Sequence, residues 1–169
     1  MKTINNELIR SFNPCYDPIV IVTDDNEILT VIDWVAKYRN AIKNKNDIIW
    51  LLCRNEFLSD KDLRLFAVWC AREAFKLQTS IDQRSIDAVN CAERYANGEA
   101  TDDELSAARS AAWSAAVFAA RSAAESAART VAWSAADSAA GSAVWSAVWS
   151  VTVEKQIDQL LTYFKEETK

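Results

Sequence analysis

The sequence predicts an all-α fold, a helical bundle that contains one long helix built from an alanine-, serine- and tryptophan-rich repeat. Only two glycines and two prolines occur among 169 residues, so few positions favour a helix break. Serine recurs every fourth residue from Ser106 onward with mostly alanine between, and alanine is the strongest helix former. We expect a single domain over residues 1–169, with short helices in 1–98, the repeat in 101–153 and a C-terminal helix in 154–169.

The N-terminal elements are predicted from short local signals. Residues 1–13 favour a short helix, and the segment NPCYDP (13–18) favours a turn, because proline moves the preceding residue away from the helical region. The β-branched run 19–22 suits an extended segment, which makes this end of the chain short and irregular. Residues 28–38 have amphipathic spacing and 47–54 are apolar, so each predicts a short helix.

Capping residues mark the three following helices. One helix is expected to begin after Ser59 and a second after Asp82. The second helix should end at Gly98, because glycine suits the left-handed position that follows a helix. Thr101, followed three residues later by Glu104, is a capping box and opens the repeat helix. The first of these helices should bury one apolar stripe: Leu63, Phe66, Ala67, Cys70, Ala74 and Leu77.

The repeat has four-residue units in which serine is followed by two small residues and a variable one. A period of four exceeds the 3.6 residues of a helical turn, so each column of the repeat drifts by about 40° per unit. No straight amphipathic stripe can form, and Trp133 should point away from Trp113 and Trp149. The segment is therefore either a single bent helix of about 70 Å or two helices that pack on each other, with the break near Gly141 or Glu125. A second subunit could also cover it, and we expect a homo-oligomer.

The variable column supplies the candidate ligand-binding residues. Tryptophan stacks on planar rings, and arginine stacks or binds phosphate through two parallel hydrogen bonds. Alternating cations and aromatics on a helix of small residues suit a groove for such a ligand, although simple packing of tryptophan wedges explains the same pattern. The candidates are Arg109, Trp113, Arg121, Arg129, Trp133 and Trp145.

Composition excludes several classes of function. The formal net charge of −5 disfavours direct nucleic-acid binding, which needs clustered lysine and arginine. Histidine is absent, and the four cysteines are far apart with no CxxC pair, so we expect no metal site, no cofactor and no catalytic residues. The glycine-rich loops of phosphate-binding enzymes are absent too. The protein should be a non-enzyme of the bacterial cytoplasm, with no signal peptide and no membrane segment.

Short segments along the chain resemble a family of immunity proteins found in bacterial toxin–antitoxin islands and phage genomes. The segments are NPCYDP (13–18), RNEFLS (54–59), LRLFA (63–67), ANGE (96–99) and DDEL (102–105), which opens the alanine-rich run. The resemblance implies an all-helical, non-catalytic protein that protects its host by binding, and the family name implies a toxin as the target.

Three functional hypotheses follow. In the leading one, an anti-defence protein acts as a sponge that sequesters a small nucleotide-derived immune signal between its helices. In the second, the chain is a stoichiometric inhibitor of a cognate toxin, to which an acidic surface would be suited. In the third, it is a purely structural helical interaction module.

Overall fold

A computed structural model describes residues 2–76, 81–111 and 153–165 of the chain. These residues form two compact units. The first unit combines residues 2–59 with 153–165, and the second contains 60–76 and 81–111. Helices dominate the described residues, and the only strands among them are two pairs of residues, so the predicted all-α fold is confirmed.

The first unit begins with a small antiparallel sheet that pins the N-terminus beside the second helix. Strand β1 (Thr3–Ile4) pairs with β2 (Leu29–Thr30), with Thr3 opposite Thr30. Helices α1 (Asn6–Ser11), α2 (Val31–Tyr38) and α3 (Asn46–Leu52) follow in chain order, with a 3₁₀ turn at Pro18–Val20 between the first two. The sheet ends where Thr30 becomes the N-cap of α2 and accepts a hydrogen bond from the Asp33 amide.

The C-terminal helix α7 (153–165) completes the core of this unit. Its buried side chains recur at intervals of three and four, which is the spacing of one helix face: Val153, Ile157, Leu160 and Phe164. Arg39, just after α2, fixes the other side of the helix. Its Nε donates to Glu154 Oε2 at 2.6 Å and its Nη1 to Asp158 Oδ1 at 2.6 Å. The chain thus leaves the first unit at residue 59 and re-enters it by α7.

The second unit is a set of helices, α4 (Asp60–Phe75), α5 (Gln83–Ala96) and α6 (described over 102–111). The predicted end signals are confirmed. Asp82 accepts from the Arg84 amide as N-cap of α5, and Gly98 follows the helix with a φ of 77°. Thr101 and Glu104 exchange the two hydrogen bonds of a capping box at the start of α6. The first residues of the repeat are therefore helical.

Several local predictions differ from the structure. The N-terminal helix begins at Asn6 and α2 at Val31, because the residues before each pair with one another as strands. The run 19–22 is not extended, since Asp17 caps a 3₁₀ turn there through the Ile19 amide. Within the predicted stripe of α4, Phe66 is buried but Ala67 is exposed. Residue 77 and the proposed breaks at Gly141 and Glu125 lie outside the described residues.

Candidate functional site

A groove of about 300 Å³ lies among the three helices of the second unit. Its floor is made of small and branched apolar residues, and two arginines and a tyrosine stand among them. Val68 on the floor is buried, whereas Arg64 and Arg109 are exposed. The lining residues include Ala67, Val68 and Ala71 from α4, Ala88, Val89, Ala92 and Tyr95 from α5, and Leu105 from α6.

The groove forms because two neighbouring helices each turn a face of small residues toward it. On α4, Arg64 precedes Ala67, Val68 and Ala71 at intervals of three, four and seven, which is one helix face. On α5, Ala88 and Ala92 lead to Tyr95 with the same spacing. Alanine side chains leave space that larger residues would fill, so the concave surface follows directly from the sequence.

Arg64 and Tyr95 form a cation–π pair at the groove. The Arg64 guanidinium carbon lies 4.9 Å from the centre of the Tyr95 ring, within the range of a cation–π contact. The Tyr95 hydroxyl donates to Asp102 Oδ1 at 2.6 Å, and this hydrogen bond holds the ring in place. The bond and the carboxylate charge raise the pKa of Tyr95, so the phenol stays neutral near pH 7.

The charges of the two groove arginines are not neutralised within the described part of this unit. Its three other arginines each face a carboxylate: Arg72 pairs with Glu93, Arg84 with Asp82 and Arg94 with Glu104. No such ion pair with a described residue involves Arg64 or Arg109. Both arginines of this unit that face no described carboxylate therefore line the groove.

Of the predicted ligand-binding residues, Arg109 lies in the groove. Trp113, Arg121, Arg129, Trp133 and Trp145 lie outside the described residues. Sequence analysis missed Arg64 and Tyr95. The sequence does contain a signal for both residues. Arg64 precedes alanines that share one face of α4, and Tyr95 follows alanines that share one face of α5.

The described residues contain no group of three or more cysteine, aspartate and glutamate side chains that could hold a metal ion. Within the same residues, no helix is both long and apolar enough to cross a membrane. The four cysteines form no disulfide within the described residues; Cys91 is buried, and Cys53 and Cys70 are half-buried.

No protein-family model matches this sequence, and no curated protein or solved structure is significantly similar to it.

Proposed function

We propose that the chain is a non-enzymatic binding protein that sequesters a small, planar, anionic molecule in the groove of its second unit. A nucleotide-derived signal of a bacterial immune system has this chemistry, because it combines a flat base with phosphate. Under this proposal the protein is an anti-defence protein that acts as a sponge in the bacterial cytoplasm, in accord with the resemblance to immunity proteins.

The observation that supports this proposal is the placement, beside one aromatic ring in an apolar groove, of two arginines that no described carboxylate neutralises. The Arg64 guanidinium already lies over the Tyr95 ring, and a nucleobase can stack beside them over the apolar floor. Arg109 is then available for phosphate. The volume of about 300 Å³ lies at the lower end for small-molecule sites, so it suits one base with its phosphate rather than a nucleic-acid strand.

The chemistry of the lining favours binding over catalysis. Among the described lining residues there is no carboxylate, cysteine or histidine. Tyr95 has a raised pKa, and its hydroxyl keeps its proton and donates a hydrogen bond to Asp102. It is therefore not a base near neutral pH. A bound molecule should therefore be released unchanged.

Native mass spectrometry and calorimetry with cyclic dinucleotides, cyclic trinucleotides and ADP-ribose derivatives test this proposal. The double variant Arg64→Ala/Arg109→Ala should weaken binding by about 100-fold, since each lost charge-assisted contact contributes about tenfold. Arg94→Ala is the matched control, because this exposed arginine of the same unit does not line the groove. Equal affinity of the double variant and the control would contradict the proposal, as would a change in mass of the released molecule.

A second candidate is stoichiometric inhibition of a basic toxin. It is favoured by the net charge of −5 and by the exposed acidic turn that contains Glu99, Asp102, Asp103 and Glu104. Such a complex should weaken as salt is raised, and also when Glu99 and Asp103 are neutralised, the two of these residues that neither hold Tyr95 nor form the capping box. A sponge would keep its ligand in the same variant. A structural interaction module would instead bind neither class of target.

We also propose that the protein is a homo-oligomer, because the sequence of the repeat predicts small residues on every side of a long helix. Sedimentation analysis tests this directly, and a monomer at micromolar concentration would contradict it.

A further inference from the structure

The segment NPCYDP (13–18) forms part of a second pocket, in the first unit, which plays no part in the proposed sponge function. The pocket has a volume of about 280 Å³ and is lined by Asn13, Pro14, Cys15, Tyr16, Asp47 and Trp50. Asn13 has a φ of 51°, in the left-handed region that asparagine tolerates better than most residues. This conformation turns the chain at the end of α1, and the residues that follow reach the start of α3.

The pocket combines two aromatic rings with one carboxylate. Trp50 is exposed over 37% of its surface, and Tyr16 is partly buried. Burial raises the pKa of Tyr16, and the negative charge of Asp47 adds to this effect. Burial also raises the pKa of the Asp47 carboxyl, and this effect exceeds the opposite one of the hydrogen bond from Asn44, which lowers the pKa. The carboxylate is therefore partly removed from water without a cation to balance it, which is an unfavourable state that a cation would relieve.

The basic side chains near this pocket contact groups other than the Asp47 carboxylate. Arg10 pairs with Asp17 and Asp25 at 3.0 and 2.9 Å. Arg54 lies over the rings of Phe12 and Trp50, 4.4 and 4.2 Å from their centres, and is not among the residues that line the pocket. None of the ion pairs among the described residues involves Asp47.

We propose that this pocket is a binding site for an alkylammonium group, held between the rings of Tyr16 and Trp50 and the Asp47 carboxylate. Aromatic faces attract cations, and the carboxylate supplies the opposite charge at the same place. The charge of this site is opposite to that of the groove in the second unit, where two arginines that face no described carboxylate accompany an aromatic ring.

The carboxylate geometry favours an ammonium over a guanidinium. Asp47 Oδ1 already accepts from Asn44 Nδ2 at 2.9 Å. A guanidinium binds best through two parallel hydrogen bonds to both carboxylate oxygens, and the Asn44 contact competes with that arrangement. An ammonium is a compact point charge that needs only the remaining oxygen. A free polyamine and a lysine side chain both present this group.

Titration with putrescine and with Nα-acetyl-lysine methylamide, followed by NMR of the Trp50 indole N–H, tests the site on the full chain. The signal is assigned with Trp50→Phe. We expect saturable shifts in the millimolar range, and binding of the corresponding arginine amide weaker by about threefold or more. Saturable binding of putrescine alone would assign the site to free amines, whereas binding of both compounds would extend it to lysine side chains.

Two variants decide the role of the pocket. Asp47→Asn keeps the shape and the contact to Asn44 but should weaken putrescine binding by about tenfold. Glu56→Gln removes one exposed charge of the same unit outside the pocket. Its affinity for putrescine should stay within about twofold of the wild-type value. An unchanged amide spectrum verifies that each variant is folded, and Tyr16→Leu provides a second loss of binding if Asp47→Asn is destabilised. Absence of saturable shifts, equal weakening in both charge variants, or tighter binding of the arginine amide would overturn the proposal.

Discussion

Leu160 provides the sharpest test of how the first unit is held together. It lies on α7, far along the sequence from residues 2–59, and its side chain has no exposed surface. If α7 is a core element of that unit, Leu160→Ala must destabilise residues that are more than one hundred positions away in the chain.

The expected loss follows from the burial of this side chain. Shortening a fully buried leucine to alanine removes apolar groups worth about 2 kcal/mol in transfer free energy and leaves a cavity, for a total of about 3 kcal/mol. A domain of ordinary stability has about 5–15 kcal/mol in all, so this one change removes a large part of it.

Urea unfolding measures the loss, and hydrogen exchange read by mass spectrometry locates it. Peptides from residues 2–59 should exchange faster in Leu160→Ala than in wild type. The control is Lys155→Ala, an exposed position on the same helix, which should stay within about 0.5 kcal/mol of wild type. A similarly small effect of Leu160→Ala, or faster exchange confined to residues 60–111, would refute the inference that α7 belongs to this core.

Three further variants test single features. Arg39→Ala should lower the free energy of unfolding by about 1–2 kcal/mol, because the Arg39 side chain is only 23% exposed and its bonds to Glu154 and Asp158 are lost. If the loss in unfolding free energy does not become smaller at high salt, this explanation is contradicted. Hydrogen bonds from Arg84 lower the pKa of Asp82 to about 2, so its contribution to stability is present above its ordinary pKa and is lost as the pH falls through about 2. Asp82→Asn should therefore make the fall in helicity between about pH 4 and 2 shallower, and an unchanged circular-dichroism titration would exclude this role. Gly98→Ala should cost about 1 kcal/mol in urea unfolding because φ is 77°, although the added methyl group meets no atom within 4 Å, and Gly98→Asn should cost less.

The features that the sequence predicted correctly are set by contacts within a few residues. Asp82 caps a helix two residues on, Thr101 and Glu104 are three apart, and Gly98 only needs the left-handed conformation. Such signals act in the same way whatever surrounds them, so they can be recognised without knowing the fold.

The features that were missed depend on partners distant in the chain. The apolar periodicity of residues 28–38 placed Leu29 and Thr30 in the predicted helix α2. In the structure they form a strand that pairs with residues near the N-terminus. Ala67 was assigned to the core by its position on an apolar stripe, whereas it lines an open groove. Arg109 was found because the repeat column was informative, but its companions Arg64 and Tyr95 come together only through the packing of α4 on α5.

The overall acidic charge of the chain does not oppose an anion-binding groove. Charges act over about 8–10 Å at physiological salt, so a ligand senses the local balance and not the sum over 169 residues. In the second unit the described carboxylates near Arg72, Arg84 and Arg94 neutralise those arginines and leave Arg64 and Arg109. In the first unit Asp47 is a half-buried carboxylate that no described cation neutralises. The two proposed sites therefore differ in the sign of the charge that accompanies their aromatic side chains, and each should bind only the ligand class of opposite sign.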